Sequence, residues 1–218
     1  MASMHVRFRA LAGLLLAALL AVPGVHAQTA ESPNAGPFRT TSDAHDPNVM
    51  LEGHDAVAYF TQSAAVKGDP AIRVEHLGVV YRFASAANRA AFLQAPAKYM
   101  PQFGGFCSNG INYAVPGGGG GAPDTWRIYR GKLYVFGGQS SLDQFEMDTE
   151  ANLALAHRYW NDELAGSNAF LKRIFRIVFR VPHYKTGREL REEYEARRAA
   201  GTLPVKPGGP QIVPAAAP

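Results

Sequence analysis

Between residues 49 and 164 the apolar positions switch repeatedly from alternation to helical spacing, and each switch predicts an element. Residues 72–77 read Ile-Arg-Val-Glu-His-Leu, apolar alternating with polar, which predicts a half-buried strand. Gly78 supplies a turn and residues 79–83 return as the second strand of a hairpin. Ser85 stands as an N-cap before a short helix over 86–93, and Pro96 ends that helix and opens a further turn through Tyr99. A second hairpin is expected from residues 126–129 and 132–136 about a turn at Arg130-Gly131. Residues 56–60 form a short apolar run and read as a strand. Ser141-Leu142-Asp143-Gln144 fits a capping box for a helix to about Asp148. Thr149 caps another helix, with Leu153, Leu155, Ala156, Tyr159 and Trp160 at helical spacing. Strand pairs interleaved with helices, without a long β-α-β crossover, predict an α+β domain.

The flanks follow different rules. Arg7 and Arg9 precede an apolar run over 10–22, which Pro23 and Gly24 break before Val25-His26-Ala27. This is the pattern of a secretory signal peptide cleaved after Ala27, and the Ala- and Gly-rich composition points to the bacterial periplasm. Residues 28–48 read as a linker, 49–165 as the domain, 166–200 as a basic helical extension and 201–218 as a disordered Pro/Ala-rich tail. Charge marks the division. Residues 28–165 hold 10 Lys and Arg against 14 Asp and Glu, whereas 166–218 hold 10 against 4. With one cysteine, the chain has no intramolecular disulfide and no Cys-x-x-Cys pair.

Several stretches carry a resemblance: Gly53-His54-Asp55-Ala56-Val57-Ala58-Tyr59-Phe60, Val66-Lys67-Gly68, Tyr81-Arg82-Phe83-Ala84-Ser85 with Asn88-Arg89 and Phe92, and Trp126 with Gly131-Lys132-Leu133-Tyr134. The most specific is Pro96-Ala97-Lys98-Tyr99-Met100-Pro101-Gln102-Phe103-Gly104-Gly105-Phe106-Cys107. Residues 51–160 thereby resemble the YHS domain family in its secreted bacterial form. The resemblance implies a small α+β domain, often proposed to bind a metal and without an established reaction. His54 stands where that family carries an aromatic residue, and a glycine-rich insertion occupies residues 116–121.

Chemistry rests on few groups. Cys107 is a soft ligand for copper or zinc, a redox-sensitive thiol, or a small buried hydrophobe. His54, His76 and His157 are the imidazoles inside the domain, and no two of them are spaced as a local metal clip. Together with Cys107 they form the candidate metal set, with Met100 as a further sulfur. Asp55 reads as a base or as a cap on backbone amides. The glycine run lacks the Lys-Ser/Thr of a phosphate loop, and no Gly-x-Ser-x-Gly or His-Glu-x-x-His is present. The reading is therefore a binding module rather than an enzyme, with a metal-free interaction domain and a Cys107 redox sensor as alternatives.

In the extension, Lys172, Arg176 and Arg180 fall at four-residue steps, bordered by Arg173 and surrounded by Phe170, Leu171, Ile174, Phe175, Ile177, Val178 and Phe179. A helix there contacts an anionic membrane surface or an acidic protein partner, or docks on the domain. An exported chain has no nucleic acid to meet. Removal of residues 166–218 is expected to leave the domain folded.

Overall fold

The structure, a computed structural model, describes residues 37–109, 120–164, 169–180 and 184–204. Residues 1–36, where a signal peptide is expected, most of the glycine run and residues 205–218, expected to be a disordered tail, lie outside the described residues. The fold is α+β, with a four-stranded mixed sheet, a two-stranded hairpin and, among the described residues, seven α-helices.

The first predicted hairpin is β3 (Asp69–His76) and β4 (Val79–Phe83), antiparallel, with His76 opposite Val79. Leu77 and Gly78 both have positive φ, 53° and 73°, the geometry that suits the twist of a two-residue hairpin turn. β3 alternates between exposed and half-buried positions as an edge strand should, whereas β4 is buried throughout. The reason is that β4 is covered on its other edge by β2 (Val49–Met50), parallel to it, and β2 in turn by β1 (Thr40–Thr41).

Residues 37–48 are therefore part of the fold rather than a linker. Composition favoured a linker because the segment's ties are polar and long-range. The Arg82 side chain, only 3% exposed, is held by both oxygens of Asp43 at 2.6 and 2.8 Å and by Asp46 at 2.7 Å. Arg73 also pairs with Asp46. A buried guanidinium with planar, paired carboxylates is satisfied, and removing either acid would strand it.

Residues 56–60 also depart from expectation. They are a turn and a short helix, α1 (Ala58–Thr61), not a strand. Asp55 causes this. Its Oδ1 accepts the Val57 and Ala58 amides at 2.8 and 3.3 Å, while Oδ2 accepts the Ala84 amide and the Asn88 side chain at 2.8 and 2.6 Å. One carboxylate thus caps α1 and pins it to the end of β4. Next, Ser85 accepts the Asn88 amide and caps α2 (Ala86–Gln94), and α3 (Pro96–Tyr99) begins with its proline.

The second hairpin, β5 (Ala122–Tyr129) and β6 (Lys132–Phe136), sorts the core into two parts. Successive side chains of a strand point to opposite faces. Leu133 and Val135 of β6 join Tyr59, Tyr81, Phe83, Phe92 and Trp126 on the side of the four-stranded sheet. Tyr134 and Phe136 join Phe103, Phe106, Leu142, Phe145 and Trp160 on the other side. That second cluster is closed by α4 (Gln139–Glu146) and α5 (Thr149–Leu164).

The extension holds α6 (Ala169–Phe179) and α7 (Gly187–Ala199). Thr186 and Glu189 form a complete capping box for α7. Leu190 is fully buried against Met147, with Leu155, Tyr194 and Leu203 around them. α7 is consequently docked on the domain rather than appended to it.

Candidate functional site

Cys107 follows a tight turn that only particular residues permit. In the segment Gln102–Gly105, Phe103, Gly104 and Gly105 all have positive φ. A Cβ on Gly104 would lie 2.2 Å from the Pro37 carbonyl oxygen, so glycine is required there. The chain then runs along the end of β6, where the Ser108 amide donates to Val135 O at 2.8 Å.

This path buries Cys107 to 1% exposure in the second apolar cluster, with its sulfur turned to a polar rim. The Gly137 amide donates to Sγ at 3.2 Å, and the Asn109 amide and the Ser141 hydroxyl also hydrogen-bond to it. Burial raises the thiol pKa above its ordinary value, and these three donors offset part of that effect. Ser141 is therefore not the N-cap that its sequence suggested. α4 starts three residues earlier than expected, with Gly138 at the cap, and the Ser141 hydroxyl is used on the thiol.

A second set of polar groups surrounds the same helix turn. Asn109, fully buried, donates to Gln144 Oε1 at 3.0 Å, and Gln144 donates to Ser140 Oγ at 3.2 Å. Asn152 donates to the carbonyls of Gln144 and Phe145 at 3.1 and 2.9 Å. Sequence reading missed Asn109 and Asn152, and gave Gln144 a capping role with Ser141 where it instead pairs with Asn109 and Ser140. The four-residue step from Ser140 to Gln144 was the only local signal; the rest of the contacts span 7 to 35 residues.

The candidate metal ligands are distributed over the fold. His54 pairs with Lys67 in an isolated bridge, and its Nδ1 lies 2.9 Å from Leu51 O. The ring of His76 meets Phe92 edge-on at 5.9 Å, at the end of β3. His157 on α5 lies against Phe103 at 5.0 Å, and burial lowers its pKa below the usual imidazole value. Met100 belongs to the cluster on the sheet side, away from the cluster that holds Cys107. Among the described residues no three His, Cys, Asp or Glu side chains come together as a metal-holding group. The chemistry of the sulfur points the same way: a thiol whose pKa burial raises is a poor source of the thiolate that copper or zinc takes. The described residues do not fit such a site. Asp55, with both oxygens occupied by internal donors, is placed as a cap rather than a base.

The basic stripe is arranged differently from a simple contact face. Arg176 is 5% exposed, its guanidinium 3.9 Å above the Tyr159 ring of α5. Arg180 pairs with Glu189 at 2.8 Å and donates to Tyr184 O at 3.2 Å. The side chains of Lys172 and Arg173 lie outside the described residues. Arg180 stays 52% exposed, and large apolar residues share that surface: Phe175 and Phe179, whose rings stack at 5.4 Å, are each 61% exposed, and Val178 is 63% exposed. No helix among the described residues is long and apolar enough to cross a membrane. No protein-family model matches the chain, and no curated protein and no solved structure matches it either.

Proposed function

We propose that this chain is an exported, YHS-like interaction module that attaches to another body through the outer face of α6, and that it carries no reaction of its own. The observation behind this reading is the orientation of α6. Arg176 turns inward onto the Tyr159 ring and the 52% exposed Arg180 pairs with Glu189, while Ile174, Phe175, Ile177, Val178 and Phe179 are exposed together. A contiguous apolar patch on a surface marks a site of contact, because leaving it in water is unfavourable in proportion to its area. The groups that chemistry would need support binding over catalysis: Cys107 and Asp55 are both buried and hydrogen-bonded within the fold. The N-terminal pattern supports export, with the mature chain beginning at Gln28.

The test is fractionation of cells that make the full chain. The protein should be found outside the cytoplasm, with Gln28 at its N-terminus, and should travel with the particulate fraction. Replacing Phe175 and Phe179 together by Asp should release it. A double variant that stays particulate would remove α6 from the reading. A mature chain still starting at its first residues would remove export.

A further inference from the structure

The arrangement of α6 is the reverse of a helix that packs on its own domain. Side chains advance by about 100° per residue around a helix. Ile174, Phe175 and Val178 therefore share one row, and they are 38%, 61% and 63% exposed, with Ile177 at 40% and Phe179 at 61% beside them. Arg176, nearly opposite, is the buried position.

We infer that this row is a lipid-contacting surface: α6 lies in the plane of a bilayer's interfacial layer, with its apolar row among the acyl chains. The inference rests on the attachment reading above and names the occupant of that surface. Three observations favour lipid over protein. First, the row carries no hydrogen-bonding side chain, whereas a protein interface is registered by about ten hydrogen bonds and a polar rim. Second, these five side chains and Leu171, 51% exposed in the same row, expose roughly 600 Å² together, below the roughly 800 Å² per partner that a stable dimer buries. Third, a helix of 11 residues is about 16 Å long, half the hydrocarbon thickness, so it fits along the surface and not across it.

The internal use of the cations sharpens the expectation. Arg176 and Arg180 are engaged by Tyr159 and Glu189, so apolar insertion, not headgroup charge, is the main source of binding. Lys172 and Arg173 set the extra attraction to anionic lipid at about 30-fold at most, from roughly fivefold per cation.

The experiment is flotation of the mature full chain with vesicles of phosphatidylcholine, and of phosphatidylcholine with phosphatidylglycerol. The chain should float with both. Salt should change its binding to the neutral vesicles less than about twofold, since there is little charge attraction to screen. Phe175→Asp with Phe179→Asp should lower both affinities at least tenfold. A second measurement does not depend on the folding of that variant. An environment-sensitive dye on Val178→Cys should shift to the blue with vesicles, and the same dye on Glu192→Cys, a 68% exposed position of α7, should not. Buried Cys107 stays unlabelled in both. The inference is overturned if the full chain floats with neither composition, if it floats only with anionic vesicles and is released by salt, or if the dye at 178 stays in water. Should flotation fail while Phe175 and Phe179 still govern fractionation in cells, the occupant is a protein, or a second copy seen by sedimentation, and attachment stands without lipid. Failure of both removes attachment as well.

Discussion

Replacing Asp55 by Ala tests whether the Gly53-His54-Asp55 stretch is a structural tie or a chemical site. The substitution removes the acceptor of four donors: the amides of Val57, Ala58 and Ala84 and the Asn88 side chain. They are not equal losses. The Ala58 amide keeps a bond to the Asp55 carbonyl at 3.1 Å, and Asn88 is partly exposed and regains water. The amides of Val57 and Ala84 are left without a partner. Each stranded donor costs about 1–3 kcal/mol, so the expected loss is about 2–6 kcal/mol, toward the lower end because the Ala84 amide is only part-buried. That is a large part of the 5–15 kcal/mol typical of a domain. Asp55→Asn retains one acceptor oxygen but turns an NH2 toward donors, and should fall between the wild type and Asp55→Ala. Urea unfolding followed by the fluorescence of Trp126 and Trp160 reads the effect as a lower midpoint at constant slope. A loss under about 1 kcal/mol for Asp55→Ala would refute the capping argument and return Asp55 to the list of reactive groups.

Other expectations are independent of that one. Leu190→Ala should cost about 2–5 kcal/mol, and deletion of residues 166–218 should destabilise the domain rather than leave it intact, because Leu190 and Met147 are buried on each other; a truncated chain with an unchanged midpoint would contradict this. Cys107 should react with a thiol reagent only after unfolding, since burial raises its pKa and leaves it 1% exposed; rapid reaction of the native protein below pH 8 would refute the buried-thiol assignment. Purified mature protein should carry no stoichiometric copper or zinc, and metal that is present and lost in Cys107→Ser would overturn the fit argument. The Arg180 guanidinium, followed by the Thr186 amide and hydroxyl, lowers Glu189 from an ordinary value of 4.5 to about 2. Its folded-state pKa is thus the lower one, so its contribution is present above pH 4.5 and is lost as pH falls toward 2. Acid titration of helicity should show that loss, and Glu189→Gln should flatten it.

Much of the fold was legible because its signals are local. The alternation in 72–77, the turns at Gly78 and Arg130-Gly131, the Ser85 cap and the α+β class depend on residues within a few positions of one another, and all are found. A helix in the basic extension was equally clear from the four-residue steps of Lys172, Arg176 and Arg180, and α6 is found there. Cys107 and the surrounding glycines were singled out correctly as unusual, but what the sulfur touches was not readable.

The departures share one physical cause, which is competition from distant partners. Residues 37–48 look like a linker until Arg82, some 36 residues away, collects Asp43 and Asp46. Residues 56–60 have the composition of a strand, but Asp55 satisfies their amides as a helical turn while reaching Ala84. Ser141 has the sequence of a cap, yet its hydroxyl lies against a thiol 34 positions earlier. The orientation of α6 shows the division most plainly. Its sequence determined that one side is basic and the other apolar. Only the tertiary structure, by placing the Tyr159 ring under Arg176, decided that this arginine faces inward and the apolar side faces out.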